Sequence, residues 1–513
     1  MSARQRDLGS AEPMTSATIG AQEPAPADPP LSDAALRIRP PSPRERRAGR
    51  LRHAALVAAL ALSIISLASQ QPLFLLGAAL LASLDIVPNL WYRYGLRSIR
   101  FNRRIAQRTI PLGSVVEVEV AVENRKPLPL AWLEVRDEFP DGLIVQGRTL
   151  APSERIGRAT LRLTLALSGY QRLRRRYQLL AVERGVYHLG PTTLRASDPF
   201  GIQTAQADME TPATLIVRPL VTSLERLNLP SVAPFGEHRS STRLLDDPLR
   251  VSGIRDYAPG DDPRRIHWKA TARAGALQSK IYDPSTRHAL VIFLDLRVWA
   301  GQTATDAALS ELAICAAASV ATWAHAQRFS VGICANAPAQ LDQPAAAHGP
   351  RPPTVRLAQA RRLLRLPPSA SARQLGAIQD GLGRLMTIQT TPMQAVLARE
   401  LTRLPLGATV VYIGADSALD AGLLATLRRA QTNGHPVTLM LTQTEAAADT
   451  PLPSPALTHL VSHIIGGRAL WQSLLGEALG TDLARRLTHG ARAAFIELRQ
   501  PAMASAHEPE RGG

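Results

Sequence analysis

The spacing of apolar positions changes several times along this chain, and each change marks a boundary. Residues 1–50 carry no periodic apolar pattern and are rich in Pro, Ala, Ser and charge, the composition of a disordered tail. From Ala54 to Leu84 there is no Asp, Glu, Lys or Arg. One helix over that stretch would be about 46 Å long at ~1.5 Å per residue, against a hydrocarbon core about 30 Å thick. Gln70, Gln71 and Pro72 interrupt the run. Two helices are therefore expected within 51–92, about His53–Ser69 and Pro72–Tyr92, forming a transmembrane hairpin. Pro72 suits the first helical position, where its missing N–H costs nothing.

Between 100 and 220 the period drops to two. Ser114–Val122, Ala131–Arg136 and Leu161–Leu167 alternate apolar and polar residues, as half-buried strands do. Asn124–Pro129 and Asp141-Gly142 carry turn chemistry. Short strands at this spacing predict a β-sandwich-like domain. Residues 221–284 read as a polar connector rich in Arg and Asp. From 285 to 498 strand and helix patterns alternate. Leu290–Leu294 is a continuous apolar run, as in a parallel strand buried on both faces. Phe329–Cys334, Ala408–Ile413 and Val437–Leu441 are further strands. Asp306–Gln327, Ala372–Leu385, Met393–Leu404 and Leu419–Thr432 are helices. A Pro-rich excursion separates 337 from 368, and Arg468–Leu498 is expected to close the unit with a helix and an edge strand. This alternation predicts a doubly wound α/β domain, followed by a disordered tail at 499–513.

Charge orients the hairpin. Arg44, Arg46, Arg47, Arg50 and Arg52 precede it, Arg93, Arg97, Arg100, Arg103 and Arg104 follow it, and the connecting turn is uncharged. The positive-inside rule puts both ends, and the bulk of the chain, in the cytoplasm. Trp91, Tyr92 and Tyr94 then form an interfacial belt. A cleaved signal peptide is the competing reading, disfavoured by the long Pro-rich leader and the second apolar run. Asp85 either touches the other helix or snorkels to the headgroups. The net charge is +17, yet no helix-turn-helix, zinc finger or aromatic RNA motif points to nucleic acid. Cys315 and Cys334 lie in apolar segments and read as buried thiols, without a disulfide framework.

The connector holds the densest motif, Gly253-Ile-Arg-Asp-Tyr-Ala-Pro-Gly-Asp-Asp-Pro-Arg-Arg-Ile-His-Trp-Lys-Ala-Thr-Ala-Arg273. It resembles the signature of the bacterial domain-of-unknown-function 58 family at Arg255, Tyr257, Pro259, Gly260, Asp261, Arg264, Ile266, Trp268, Ala272 and Arg273. Upstream, Glu183-Arg-Gly-Val-Tyr-His-Leu-Gly-Pro191 and Asp198-Pro-Phe-Gly201 are similar to the family's second pattern. The resemblance implies the order helix pair, β domain, signature, then an α/β domain similar to a von Willebrand factor A domain. It also implies a partner, a MoxR-type ATPase of the AAA class. The chain has no GxxxxGK[ST] loop of its own, so nucleotide chemistry would belong to that partner.

Ala258-Pro-Gly-Asp261 suits a type II turn. The neighbouring Asp and Arg residues can form carboxylate–guanidinium pairs, with Trp268 anchored in an apolar groove. That is a structural clasp; a binding surface for a partner or anion is the alternative. His267 has no placed Ser or Cys to serve as its nucleophile. Von Willebrand A domains hold a divalent cation through Asp-x-Ser-x-Ser after the first strand. Here the strand ends Asp295-Leu-Arg-Val-Trp299, with Arg297 and Trp299 in place of the serines. Asp295 is expected to pair with Arg297 or cap the next helix. Asp416 is the best remaining carboxylate, too little for a hard cation, so no metal and no cofactor are expected. The leading expectation is a non-enzymatic, membrane-tethered interaction protein. The alternatives are a carboxylate-based hydrolase at the sheet edge and a purely structural envelope factor.

Overall fold

A computed structural model describes residues 36–38, 43–148, 150–209, 213–230, 246–284, 288–296, 304–340, 363–387, 391–443 and 460–485. Residues 1–35 of the expected N-terminal tail, residues 486–498 of the expected α/β domain, the expected tail at 499–513, the excursion at 341–362, and Arg297 and Trp299 lie outside these residues.

The hairpin consists of helices α1 (Pro43–Ser69) and α2 (Pro72–Tyr94). The first begins some ten residues earlier than the apolar run implies. Its start is polar but made of good helix formers led by Pro43, and propensity rather than hydropathy sets the boundary. The apolar part is Leu56–Ser69, and α2 is long and apolar enough to cross a membrane. The helices approach closely at Gly77, where an added Cβ would come within 2.8 Å of Leu62. Val57, Leu60, Ile64, Leu73, Leu76 and Leu80 are exposed on the pair.

The β domain is sandwich-like. A six-stranded sheet runs in the order Leu36–Ile38, Thr204–Met209, Thr192–Ser197, Leu130–Pro140, Arg158–Leu167, Ala151–Pro152. A four-stranded sheet runs Ile99–Ile105, Val115–Asn124, Arg172–Ala181, Leu143–Val145. A small third sheet joins Gly185–Leu189, Ala213–Arg218 and Thr109–Pro111. The period-two alternation places Val116, Val118, Val120 and Val122 in the core with Phe101, Leu133, Val135 and Phe139. One part of the expected N-terminal tail is ordered after all: Leu36–Ile38 pairs antiparallel with Thr204–Met209. A three-residue strand has no detectable period of its own, and its partner's exposed edge supplies the missing hydrogen bonds.

The α/β unit has a six-stranded sheet in the order Leu363–Ser369, Ser330–Pro338, Ala289–Leu294, Thr409–Ala415, Val437–Thr442, Val461–Gly466. All pairings are parallel except that of Leu363–Ser369 with its neighbour. Helices cover both faces. Leu290, Ile292, Leu294, Val411 and Ile413 share a core with the helices at Ala304–Ala326 and Arg468–Leu479. Val291, Phe293, Val410, Tyr412 and Leu439 share another with the helices at Met393–Leu401 and Ala421–Thr432. The Ala304–Ala326 helix is as apolar as a membrane span over Ala307–Ala326, but 72% of that window is buried in protein; it is a core helix. One strand reading needs correction. The Pro-rich excursion ends in an edge strand, where Pro367 and Pro368 are tolerated because no ladder continues beyond them. The other edge strand, Val461–Gly466, precedes the closing helix; the stretch after that helix, 486–498, lies outside the described residues.

The β domain and the α/β unit are joined by a continuous core and by arginines. Arg184 donates to Glu311 at 2.7 Å and to the carbonyls of Leu382 and Leu385 at 2.9 and 2.8 Å. Arg218 pairs with Asp380 at 2.7 Å, and Asn228 donates to the Ile465 carbonyl. Cys315 and Cys334 are buried, and burial pushes both thiols up to about 12.

Candidate functional site

The connector is an arm with its own hydrogen bonding, not an irregular strap. Asp246–Asp256 and Gln278–Pro284 pair as an antiparallel ribbon, and its tip carries the 3-10 turn Pro263–Arg265 and the helix Trp268–Ala274. The arm re-enters the chain at His288, just before the amino end of the central strand Ala289–Leu294.

Half of the signature shapes this tip. The Asp261 N–H donates to the Ala258 carbonyl at 3.0 Å, and Gly260 sits at φ +107°, the left-handed position that a type II turn requires. The Asp261 carboxylate accepts from the Ala258 N–H at 3.0 Å and from Arg255 at 2.6 Å. The amide first and then the guanidinium hold that carboxyl below its usual value. Tyr257 donates to the Asp261 carbonyl at 3.0 Å. Asp262 accepts from the Arg264 N–H. His267 caps the short helix, its Nδ1 accepting from the Ala270 N–H at 3.0 Å, so the imidazole has a structural task.

The other half faces outward. Trp268 is 69% exposed, with Ile254 and Leu277 also exposed, which corrects the expectation of an apolar groove. Arg264 and Arg273 are exposed. Among the described residues Arg264, Lys269 and Arg273 carry no ion pair, and the signature's carboxylate–guanidinium bond is Arg255–Asp261 with Arg255 half exposed. The expected buried clasp is therefore absent from the described residues: the ribbon is too thin to bury a charge on any side.

Asp295 lies at the opposite, carboxyl end of the central strand and is 3% exposed. Its oxygens accept from Asn336 Nδ2 at 2.6 Å and from the Tyr412 hydroxyl at 3.0 Å. Asn336 also accepts from the Leu296 N–H at 2.8 Å. These residues tie the central strand to both its neighbours, with Asn336 on Ser330–Pro338 and Tyr412 on Thr409–Ala415. This replaces the expected cap of the next helix; Arg297 lies outside the described residues. Asn336 and Tyr412 were not anticipated, although each is a polar group inside an otherwise apolar run. Asp416 opens the 3-10 turn Asp416–Ala418 and accepts from the Ser417 N–H at 2.7 Å. Among the described residues no three His, Cys, Asp or Glu side chains gather as a metal set. Each Asp295 oxygen accepts a hydrogen bond from a neighbouring strand, and positions 297–303, which follow it, lie outside the described residues.

The upstream pattern is mostly structural, with Phe200 51% exposed. Arg184 is the interdomain bridge. Tyr187 donates to the Glu183 carbonyl at 2.8 Å. Asp198 holds the turn at 198–203 by accepting from the N–H groups of Phe200 and Gln203. Gly190-Pro191 is a cis peptide.

Comparison with known proteins agrees with the placement of these motifs. The family model described as "Protein of unknown function DUF58" matches residues 253–385, from the arm through the helix at Gln374–Gly383. The Bacillus subtilis (strain 168) "Uncharacterized protein YeaD" is 26% identical over 210 residues, covering 39% of this chain and 49% of that protein. The chain thus spans about half the length of the curated relative it matches. Among solved structures, a cohesin module of a Clostridium perfringens family 33 glycoside hydrolase covers 23% of this chain and 96% of its own, at 15% identity and TM-score 0.17. A non-cellulosomal cohesin from Archaeoglobus fulgidus covers 25% and 95%, at 14% identity and TM-score 0.16. Scores this low carry no argument about this chain. Signature, family model and relative all point to the DUF58 family, whose model matches residues 253–385 of this chain.

Proposed function

We propose that this is a membrane-tethered, non-enzymatic interaction protein that docks a protein partner on its signature arm. The observation that carries the reading is Trp268, 69% exposed at the tip of a ribbon that also carries the exposed cations Arg264, Lys269 and Arg273. An exposed Trp among arginines is the composition of an interface hot spot. The tether is the α1–α2 hairpin. Leu36–Ile38 before it and Thr204–Met209 after it belong to one sheet, so the segments flanking the hairpin share a side, and the arginine clusters favour the cytoplasm. The α/β unit is read as von Willebrand A-like, with helices on both faces of a mostly parallel sheet. Family resemblance suggests a MoxR-type AAA ATPase as the partner, with assembly or remodelling of envelope or other complexes as the joint task. The alternative, hydrolysis by carboxylates, would have to use Asp295, which is 3% exposed and hydrogen-bonded to Asn336 and Tyr412.

The test is capture of a purified MoxR-type ATPase by the detergent-solubilised full chain, with and without ATP. Trp268→Ala should lose capture while melting like wild type. Capture unchanged in Trp268→Ala and in the triple variant R264A/K269A/R273A would overturn the arm as the docking site.

A further inference from the structure

The end of the β domain beside the hairpin is built as a cationic rim. Only residues 95–98 separate α2 from the strand Ile99–Ile105, so there is no free linker. The Trp91 indole N–H donates to the Pro129 carbonyl at 3.0 Å, and Gln203 donates to Asn89 at 3.1 Å. The helix end and the domain are therefore locked together. Whatever level Trp91 occupies, the 125–129 loop occupies it too.

A second loop sits against the first. The Tyr170 N–H donates to the Lys126 carbonyl at 3.2 Å, and the Arg125 N–H to the Ser98 carbonyl at 3.0 Å. Asn124 Nδ2 donates to the carbonyls of Leu128 and Ser168, both at 2.9 Å. An added Cβ on Gly169 would stand 2.5 Å from the Pro127 carbonyl, so the loops touch through backbone. Tyr170 projects from this pair, 72% exposed, at φ +58°, where a bulky residue is uncommon. On these loops and the segments joined to them Arg97, Arg125 and Arg172 are exposed. Arg125 is shared with Glu123, Arg172 lies opposite Glu123 in the strand register, and Arg97 stacks over the Tyr94 ring at 5.1 Å; among the described residues Arg97 and Arg172 form no ion pair. An exposed aromatic among cations, at the level of an interfacial Trp, matches the headgroup layer of an anionic bilayer.

We propose that Arg97, Arg125, Lys126, Tyr170 and Arg172 form a second membrane contact, in which this end of the β domain rests on anionic phospholipid headgroups. The proposal rests on the hairpin being membrane-spanning. Its consequence is orientation: the β domain is held at a fixed attitude to the bilayer by helix and rim together.

The test uses the full chain in nanodiscs of phosphatidylcholine, with or without phosphatidylglycerol. Tyr170→Cys carries a fluorescent thiol label; Cys315 and Cys334 are buried and stay unlabelled. Headgroup-attached nitroxide should quench the label at 170 more strongly with phosphatidylglycerol present, and less as salt rises. A label at Ile156→Cys, 96% exposed in the loop that opens the strand Arg158–Leu167 and so at its far end from Tyr170, should stay unquenched. Arg97→Ala with Arg172→Ala should weaken the phosphatidylglycerol-dependent part, about fivefold per cation removed, the equivalent of ~1 kcal/mol each. A label at Leu76→Cys with acyl-chain nitroxide reports the hairpin itself. Quenching at Leu76→Cys without quenching at Tyr170→Cys overturns the rim and leaves the hairpin standing. No quenching at either position overturns the membrane reading and the rim with it. Equal quenching at 170 in both lipid mixtures overturns the charge argument.

Discussion

Two stretches of this chain, 183–201 and 253–273, are both rich in Arg, Gly, Pro and Asp, and the fold treats them in opposite ways. In the first, polar atoms are drawn inward. The Arg184 side chain is 5% exposed and bridges two domains, Tyr187 is buried, and Asp198 is used up by a turn. Beside it Thr192 joins a buried network in which Arg103 pairs with Asp137 while Thr192 and Tyr177 donate to the same carboxylate at 3.0 and 3.2 Å. In the second, Arg255, Tyr257 and Asp261 shape a ribbon that buries none of them, and Arg264, Trp268 and Arg273 point to solvent. Motif density alone therefore says nothing about role. Burial sorts the first stretch into architecture and leaves the second available to a partner.

The sharpest way to break that contrast is to cut the buried pair. Asp137→Ala leaves Arg103 charged and without its carboxylate at a site where both side chains are 1% exposed. Breaking such a pair costs about 3–5 kcal/mol. Urea unfolding of the detergent-solubilised chain should show it, with labelling of Cys315 and Cys334 as a second reporter. Their thiols, pushed up to about 12, hold almost no thiolate at pH 8 until the chain opens. The same shift has a sign: unfolded thiols ionise near 9, so stability is intact below that and falls as pH rises from 9 toward 12. A loss under about 1 kcal/mol in Asp137→Ala would make the buried pair equivalent to a surface one.

Arg184→Ala comes next. It removes hydrogen bonds from a cation to Glu311 and two carbonyls, each kind worth about 1.5–3 kcal/mol where a charged group takes part. The expected outcome is about 2–3 kcal/mol and earlier protease cleavage between the β domain and the α/β unit. A variant that unfolds like wild type would show that the continuous apolar core alone joins them. Tyr412→Phe is smaller again. One buried Asp295 oxygen loses its hydroxyl donor, at about 1–2 kcal/mol. Added Mg²⁺, Ca²⁺ or chelator should leave the melting temperature of wild type and variant unchanged; a saturable shift lost in Asp295→Ala would reinstate a metal site.

How much of this was readable beforehand follows from range. Val115–Asn124 announced itself because alternate residues face one core. The central strand did so because Leu290–Leu294 is apolar throughout. Leu363–Ser369 was hidden by Pro367 and Pro368, which mark a break unless the strand is known to lie at an edge. Leu36–Ile38 was hidden because its pairing partner is more than 160 residues away. Asp295 stood out as a carboxylate closing an apolar strand, but its partners lie 41 and 117 positions on, and only the register of three parallel strands brings them to it. The arm was recognised by its residues and misjudged in its surroundings: nothing local in 253–273 says whether Trp268 meets a groove or water.

The smallest expected effect on stability carries the most weight for function. Asp261→Ala removes the carboxylate that holds Arg255 and the Ala258 N–H. A buried clasp would respond with a large loss of stability. A ribbon in solvent should not, because water replaces both partners as they are released. The melting temperature of Asp261→Ala is therefore expected to match wild type, while the turn at Pro259-Gly260 loosens and Trp268 loses its fixed position relative to Arg264 and Arg273. Capture of the ATPase should then weaken, and less than in Trp268→Ala, since the anchor is displaced rather than deleted. Asp261→Asn gives an intermediate: it keeps a hydrogen-bond acceptor for the Ala258 N–H and loses the charge on Arg255. If Asp261→Ala unfolds early, the arm packs against the body more firmly than its exposure implies, and the contrast with 183–201 collapses. If it melts normally and captures normally while Trp268→Ala does not, the tip binds through its aromatic anchor alone and the turn serves only to reach it.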